Sequence, residues 1–263
     1  MDNKWGAGIP KYRSQDVLSL PELQEYAVNV MVETESRNQK FVCFSKDYDI
    51  RTGVSVTGKV DNSLFYVMVR SAVQPETVEM TDFERNVLIA KSFAYGQACY
   101  FASVTVGSKD PERFAKGLLL WNDEYNINYS GMKYVPRDNY DKNLVYILTA
   151  LEHIGQGYYI KDYSNFADYI AEDCVWHSNK STITCKGPEE IKNYYASKLT
   201  ILKKPGAYID YYLCLADGKP ALYIDQKLDY KEKKRLVFVE LNDEGMISKM
   251  TLDSPDKYNI EYR

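Results

Sequence analysis

Two histidines, His153 and His177, are all that this 263-residue chain offers for acid–base work near neutral pH. His153 sits between Leu151 and Ile154 in an apolar-periodic run and reads as a packed residue. His177 lies near the end of the strand-like run Cys174–Ser178, where alternation sets Val175 and His177 on one side and Trp176 on the other. It is the best single general acid or base. In Ala221–Leu228 the same alternation opposes Tyr223, Asp225 and Lys227 to Leu222, Ile224, Gln226 and Leu228. Asp225 is the best carboxylate to accompany the histidine. Such a pair moves protons only if both groups come within hydrogen-bond reach of one substrate.

Other chemistries lack their residues. With two histidines, a multi-His metal site is not expected. The five cysteines (Cys43, Cys99, Cys174, Cys185, Cys214) show no metal-ligand spacing. GxxxxGK[ST], GxGxxG, HExxH and GxSxG are absent, so no cofactor is expected. Cys43, Cys99 and Cys214 lie in apolar strand-like runs, where a thiol acts as a small hydrophobe. Free thiols, rather than a Cys174–Cys185 disulfide, and a reducing cytoplasm follow. The net charge of −4 weighs against nucleic acid, which asks for a basic face. Lys231, Lys233, Lys234 and Arg235 read as a solvated turn between strands. Apolar runs fall far short of the roughly 20 residues of a membrane helix, and the first residues, MDNKWGAGIPKYRS, carry no secretory signal pattern.

Two halves must position these groups. Ser19-Leu20-Pro21-Glu22 is a capping box, and Leu23, Tyr26, Ala27, Val30 and Met31 continue it as one apolar stripe. Strand patterns follow at Phe41–Ser45, Gly53–Gly58 and Ser63–Arg70. A second capping box, Thr81–Glu84, opens a helix stopped by Gly96, and Ala98–Val106 is a strand. The order is α-β-β-β-α-β, closed by Gly117–Trp121 and Asn126–Tyr129. Polar, extended sequence around Pro136–Asn139 sets a boundary, giving domains 1–137 and 138–263. The second half predicts a helix over Leu144–Ile154, a short helix at Asn165–Ala171, the Cys174–Ser178 strand and a helix from Gly187. Two hairpins then follow, Ala207–Leu215 with Ala221–Leu228 and Arg235–Leu241 with Met246–Leu252. Helices first and a long antiparallel sheet afterwards define an α+β class.

The segment Asp168-Tyr-Ile-Ala-Glu-Asp-Cys-Val-Trp-His177, with Gly187-Pro-Glu-Glu-Ile191 and the two hairpins, resembles the SnoaL-like branch of the nuclear-transport-factor-two-like (cystatin-like) superfamily. The resemblance implies a cone of curved sheet wrapped around helices, with a pocket at its wide end. Pocket-lining candidates are Trp176, His177, Tyr194, Tyr211 and Asp225. The αβββαβ order of the first half, with Leu64-Phe-Tyr-Val-Met-Val-Arg70 as third strand, is similar to a restriction-endonuclease-like (PD-(D/E)xK) core. At its chemical positions, however, Met68 replaces the carboxylate, Arg70 the lysine, and Thr52-Gly53-Val54 lacks the acid. A hard cation has no site there.

The leading expectation is a non-catalytic module in which the cone binds a small molecule or a partner, as a cytoplasmic homodimer suited to its 24 tyrosines. The alternatives are a lyase or isomerase working through His177 and Asp225, and an inactive nuclease-like domain that still binds nucleic acid.

Overall fold

The structure, a computed structural model, describes residues 17–49, 53–179, 181–204, 206–228 and 231–261. Two compact units emerge. One runs to Leu88 and resumes over Gly96–Arg137; the other joins Ile89–Tyr95 to Asp138–Arg263.

In the first unit, α1 (Leu20–Gln39) starts at the Ser19 capping box, where the Ser19 amide donates to Glu22 Oε2 at 2.8 Å. Its apolar stripe packs on a sheet of β1 (Val42–Asp49), β2 (Gly53–Val60), β3 (Ser63–Val73), β4 (Ala98–Ser108) and β5 (Tyr125–Tyr129), in that spatial order. The one-turn helix α3 (Pro111–Ala115) follows β4, and the short β6 (Lys133–Tyr134) pairs with β4. β3 and β4 run parallel, and α2 (Asp82–Tyr95) lies between them in sequence; the other pairs are antiparallel. Leu23, Met31, Val56, Val67, Val69 and Val104 form the centre of the core. The expected element order is present, with one correction: of Gly117–Trp121 only Leu120 makes a bridge, to Val17.

The endonuclease-like positions do structural work. Arg70 is buried, and its Nε donates to Glu84 Oε1 at 2.6 Å. The other oxygen of Glu84 accepts from the Thr81 amide at 2.8 Å. One carboxylate thus closes the α2 capping box and neutralises a buried cation. Thr52, at the start of the second strand, lies outside the described residues. Among the described residues no group of three or more His, Cys, Asp or Glu could hold a metal.

In the second unit, α4 (Lys142–Ile160) is capped by Asp141, whose carboxylate accepts from the Leu144 amide at 3.0 Å. After α5 (Ser164–Ala167) come β7 (Ile170–Ser178), β8 (Thr184–Lys186) and α6 (Gly187–Leu202). An antiparallel meander completes the unit: β9 (Tyr208–Ala216), β10 (Lys219–Leu228), β11 (Lys231–Leu241) and β12 (Ile247–Asp253). β12 pairs parallel with β7, and the seven-stranded order is β13-β9-β10-β11-β12-β7-β8, with β13 at Ile260–Glu261. The fold is mixed α+β. Helix α4 packs on β9, β10 and β11, and α6 on β7 and β8.

Three local expectations change. The short helix stops at Ala167, and β7 begins at Ile170, so Glu172 and Asp173 are exposed strand residues rather than helix-end ones. Lys231–Arg235 is not a turn: it pairs in register with Ile224–Leu228, and Lys231, Lys233 and Lys234 are exposed. Nor is the sheet apolar on one face alone. Tyr212, Cys214, Ala216, Ala221, Tyr223 and Leu236 form a buried cluster on the other side, where the Tyr212 and Tyr223 rings stack at 4.6 Å. None of the five cysteines is in a disulfide.

Candidate functional site

Cross-strand register decides which side chains share the helix-covered face of the second sheet. Tyr211, Ile224 and Arg235 form one row across β9, β10 and β11; Leu213, Leu222, Val237, Leu252 and Ser178 form the next. Met250 and Trp176 belong to the same face. Gly155 on α4 meets the Tyr211 ring, which identifies this as the inner face. Beyond Tyr211 and Arg235 the row holds Ile209, Gln226 and Lys233. The inner face is therefore aliphatic at its centre and polar towards one end.

At the polar end, Arg235 is half-buried and makes no ion pair with any carboxylate among the described residues. Its neighbours are phenols. Burial pushes Tyr158 up to about 12 and raises Tyr194, and the Arg235 guanidinium beside both opposes the rise. Tyr194 packs its ring on Trp176 at 4.2 Å, and Lys198 Nζ lies over the Tyr194 ring at 5.3 Å. Tyr195 and Trp176 are buried, and neither the Tyr195 hydroxyl nor the Trp176 indole N–H makes a hydrogen bond of normal geometry. Edge-to-face contacts with Tyr158 and Phe166 hold the Tyr195 ring. These aromatic rings are fixed, with polar tips turned inward.

Tyr211 leads to a second cluster. Glu152, on α4, is fully buried, and its Oε1 accepts from Lys91 Nζ at 2.7 Å, Tyr95 Oη at 2.7 Å and Tyr211 Oη at 2.8 Å. The Tyr211 hydroxyl also reaches Gln156 Oε1 at 2.9 Å. Burial alone would raise the Glu152 pKa. The adjacent Lys91 charge and three hydrogen bonds outweigh it and leave the carboxyl below its usual range, ionised at neutral pH. Both tyrosines are raised, by burial first and then by the Glu152 charge.

The five residues expected to line one pocket do not come together. Trp176 and Tyr211 are on the inner face, and Tyr194 packs on Trp176. His177 and Asp225 are on the opposite face. His177 shares a row with Thr251 and Phe238 across β7, β12 and β11; Asp225, on β10 beyond them, pairs with Asp210 and Lys234. Three strand spacings of about 4.8 Å, roughly 14 Å in all, separate His177 from β10. No single substrate proton is within reach of both, so the structure does not support them as an acid–base pair. His177 Nδ1 lies instead 3.4 Å from Thr184 Oγ1. Sequence reasoning missed Glu152 and Arg235. A glutamate inside the Leu148–Ile154 apolar stripe was a signal of a buried, partnered carboxylate; the partners, far away in sequence, were not signalled.

Residues 21–135 match the model of a domain of unknown function, DUF8840. The endonuclease resemblance of that half thus rests on element order alone. No protein of curated function matches the chain. Among solved structures, similarity covers about two fifths of the chain. A putative ketosteroid isomerase from Kribbella flavida is 19% identical over 43% of this chain and 78% of its own, with TM-score 0.33. An NTF2-like protein of unknown function from Mesorhizobium loti is 13% identical over 44% and 95%, with TM-score 0.37. A de novo designed protein with curved β-sheet is 14% identical over 41% and 84%, with TM-score 0.35.

Proposed function

We propose that the second unit is a non-catalytic binding module, whose inner sheet face takes a small molecule with an apolar body and an anionic head. One observation carries the reading: Arg235, half-buried on that face, has phenol neighbours and no carboxylate among the described residues. A partly desolvated guanidinium without a counter-ion is costly, and a ligand carboxylate offers it two parallel hydrogen bonds. Leu213, Leu222, Val237 and Leu252, all buried, make the adjacent row aliphatic. Catalysis is not part of the proposal, because the acid–base candidates face away from this surface. Homodimerisation of the chain belongs to the same proposal and is read by light scattering.

The test is titration calorimetry of the full chain with decanoate and with the uncharged decanamide. Decanoate should bind more tightly, and Arg235→Leu should weaken it at least tenfold while leaving decanamide unchanged. Equal affinity for both probes, or indifference of decanoate to Arg235→Leu, would overturn the reading.

A further inference from the structure

Two buried carboxylates in the second unit are partnered in opposite ways. Asp253 spreads its donors over both oxygens: Oδ1 accepts from the Ser254 amide at 2.7 Å and Lys257 Nζ at 2.9 Å, and Oδ2 from Asn179 Nδ2 at 2.6 Å and Tyr258 Oη at 2.9 Å. Glu152 gathers Lys91, Tyr95 and Tyr211 on Oε1 and leaves Oε2 buried with no hydrogen bond. An ionised carboxylate has about four lone-pair positions. Leaving one oxygen of a charged group bare in the interior forfeits its hydration with nothing in return. Asp253 shows that a buried carboxylate of this unit can partner both oxygens, and Glu152 does not.

The charge balance limits what the bare oxygen can take. Lys91 already neutralises Glu152. An ammonium would add an uncompensated positive charge to a buried site, and an anion would be repelled. A neutral donor, an O–H or amide N–H, completes the carboxylate without changing the charge. Position limits it further. Tyr211, which holds Oε1, is in the same inner-face row as Arg235, two strand spacings away, or roughly 10 Å at about 4.8 Å each.

We propose that Glu152 Oε2 is the receptor for a neutral hydrogen-bond donor on the ligand, so that the unit takes hydroxy- or amido-substituted carboxylic acids with an apolar body between the two polar ends. This rests on the reading of Arg235 as the seat of the anionic head. It goes further by assigning the opposite end of the ligand and its chemistry.

The experiment compares decanoate with its ω-hydroxy and ω-methoxy derivatives on the full chain, wild type and Glu152→Gln. The two derivatives are of similar polarity at the ω end, but only the hydroxyl donates. In the wild type the hydroxy acid should bind about tenfold more tightly than the methoxy acid, as a hydrogen bond to a charged acceptor allows. In Glu152→Gln the three donors retain the amide carbonyl, and the NH2 takes the place of Oε2. The preference should then vanish or reverse. If decanoate binds through Arg235 and the wild type does not prefer the hydroxy acid, this inference alone is overturned. If the preference survives intact in Glu152→Gln, it arises elsewhere and the inference is likewise overturned. If none of the three acids binds, it falls together with the binding module. The wild-type comparison decides even where the variant does not fold.

Discussion

Asp253 and Lys91 separate two ways in which a buried charge answers to pH. Asp253 is almost fully buried, and its hydrogen bonds outweigh burial and hold its pKa well below the usual carboxylate range. A group depressed in the folded state contributes stability above its unfolded pKa, near 3.9, and that contribution drains away as pH falls below it. Asp253→Asn should therefore cost about 2 kcal/mol at pH 7, with the deficit shrinking below about pH 4. Urea midpoints across that range read it; a deficit constant with pH would refute the assignment. Lys91→Met acts through another residue. It leaves the Glu152 carboxylate buried without its cation, at a cost of about 3–5 kcal/mol. Glu152 would then have a raised folded pKa, so acidification should narrow the gap to wild type, because the variant takes up a proton on folding. Thermal melts at pH 7 and pH 5 would show this, and a gap that widens with acid would exclude it.

At the level of elements, helices start where short-range chemistry dictates and pack where a missing side chain allows. Thr81→Ala removes the Oγ1 that accepts from the Glu84 amide at 3.2 Å and should cost about 1 kcal/mol. Glu84→Ala should cost several times more, because it removes the carboxylate that pairs with the buried Arg70 cation. Equal effects, read by denaturant midpoints, would mean the ion pair contributes nothing. On α4, a Cβ on Gly157 would sit 2.6 Å from the Phe166 ring, and one on Gly155 would overlap the Tyr211 ring. Gly155→Ala should therefore destabilise by about 1–3 kcal/mol in spite of alanine's better helix propensity. A stabilised variant would place Tyr211 elsewhere. The same distinction explains which elements could be read from sequence. Both capping boxes and the α1 stripe are local signals, and the elements appear where those signals put them. The β11 start was missed because Lys231–Lys234 is charged, yet the end of a strand whose side chains meet solvent tolerates charge while its backbone pairs with β10. The β7 start was missed because Glu172 and Asp173 imitate a helix end, whereas in the strand they meet solvent.

For the whole chain, alternation separated the two sides within each strand, such as Trp176 from His177, while the shared face of Trp176 and Tyr211 is set by the cross-strand register. It could not say which alternation set of one strand faces that of another three strands away, and that is why His177 and Asp225 were joined to the wrong face. Glu152 was beyond reach for a related reason: Lys91 and Tyr95 precede it by about 60 residues, across the boundary expected from the polar stretch around Pro136. The compact unit containing Asp138–Arg263 includes Ile89–Tyr95 as well. A fragment cut at that boundary therefore keeps the Glu152 carboxylate and Tyr211 but loses its cation and one of its hydroxyl donors. This changes the sign of a substitution. In the full chain Glu152→Gln removes a charge matched to Lys91 and should destabilise by about 3 kcal/mol. In the fragment 138–263 the same change removes an unmatched buried charge and should stabilise by about 1–3 kcal/mol. Circular-dichroism melts of the four proteins make the comparison, and a substitution effect of the same sign in both backgrounds would show that Ile89–Tyr95 does not complete the second unit.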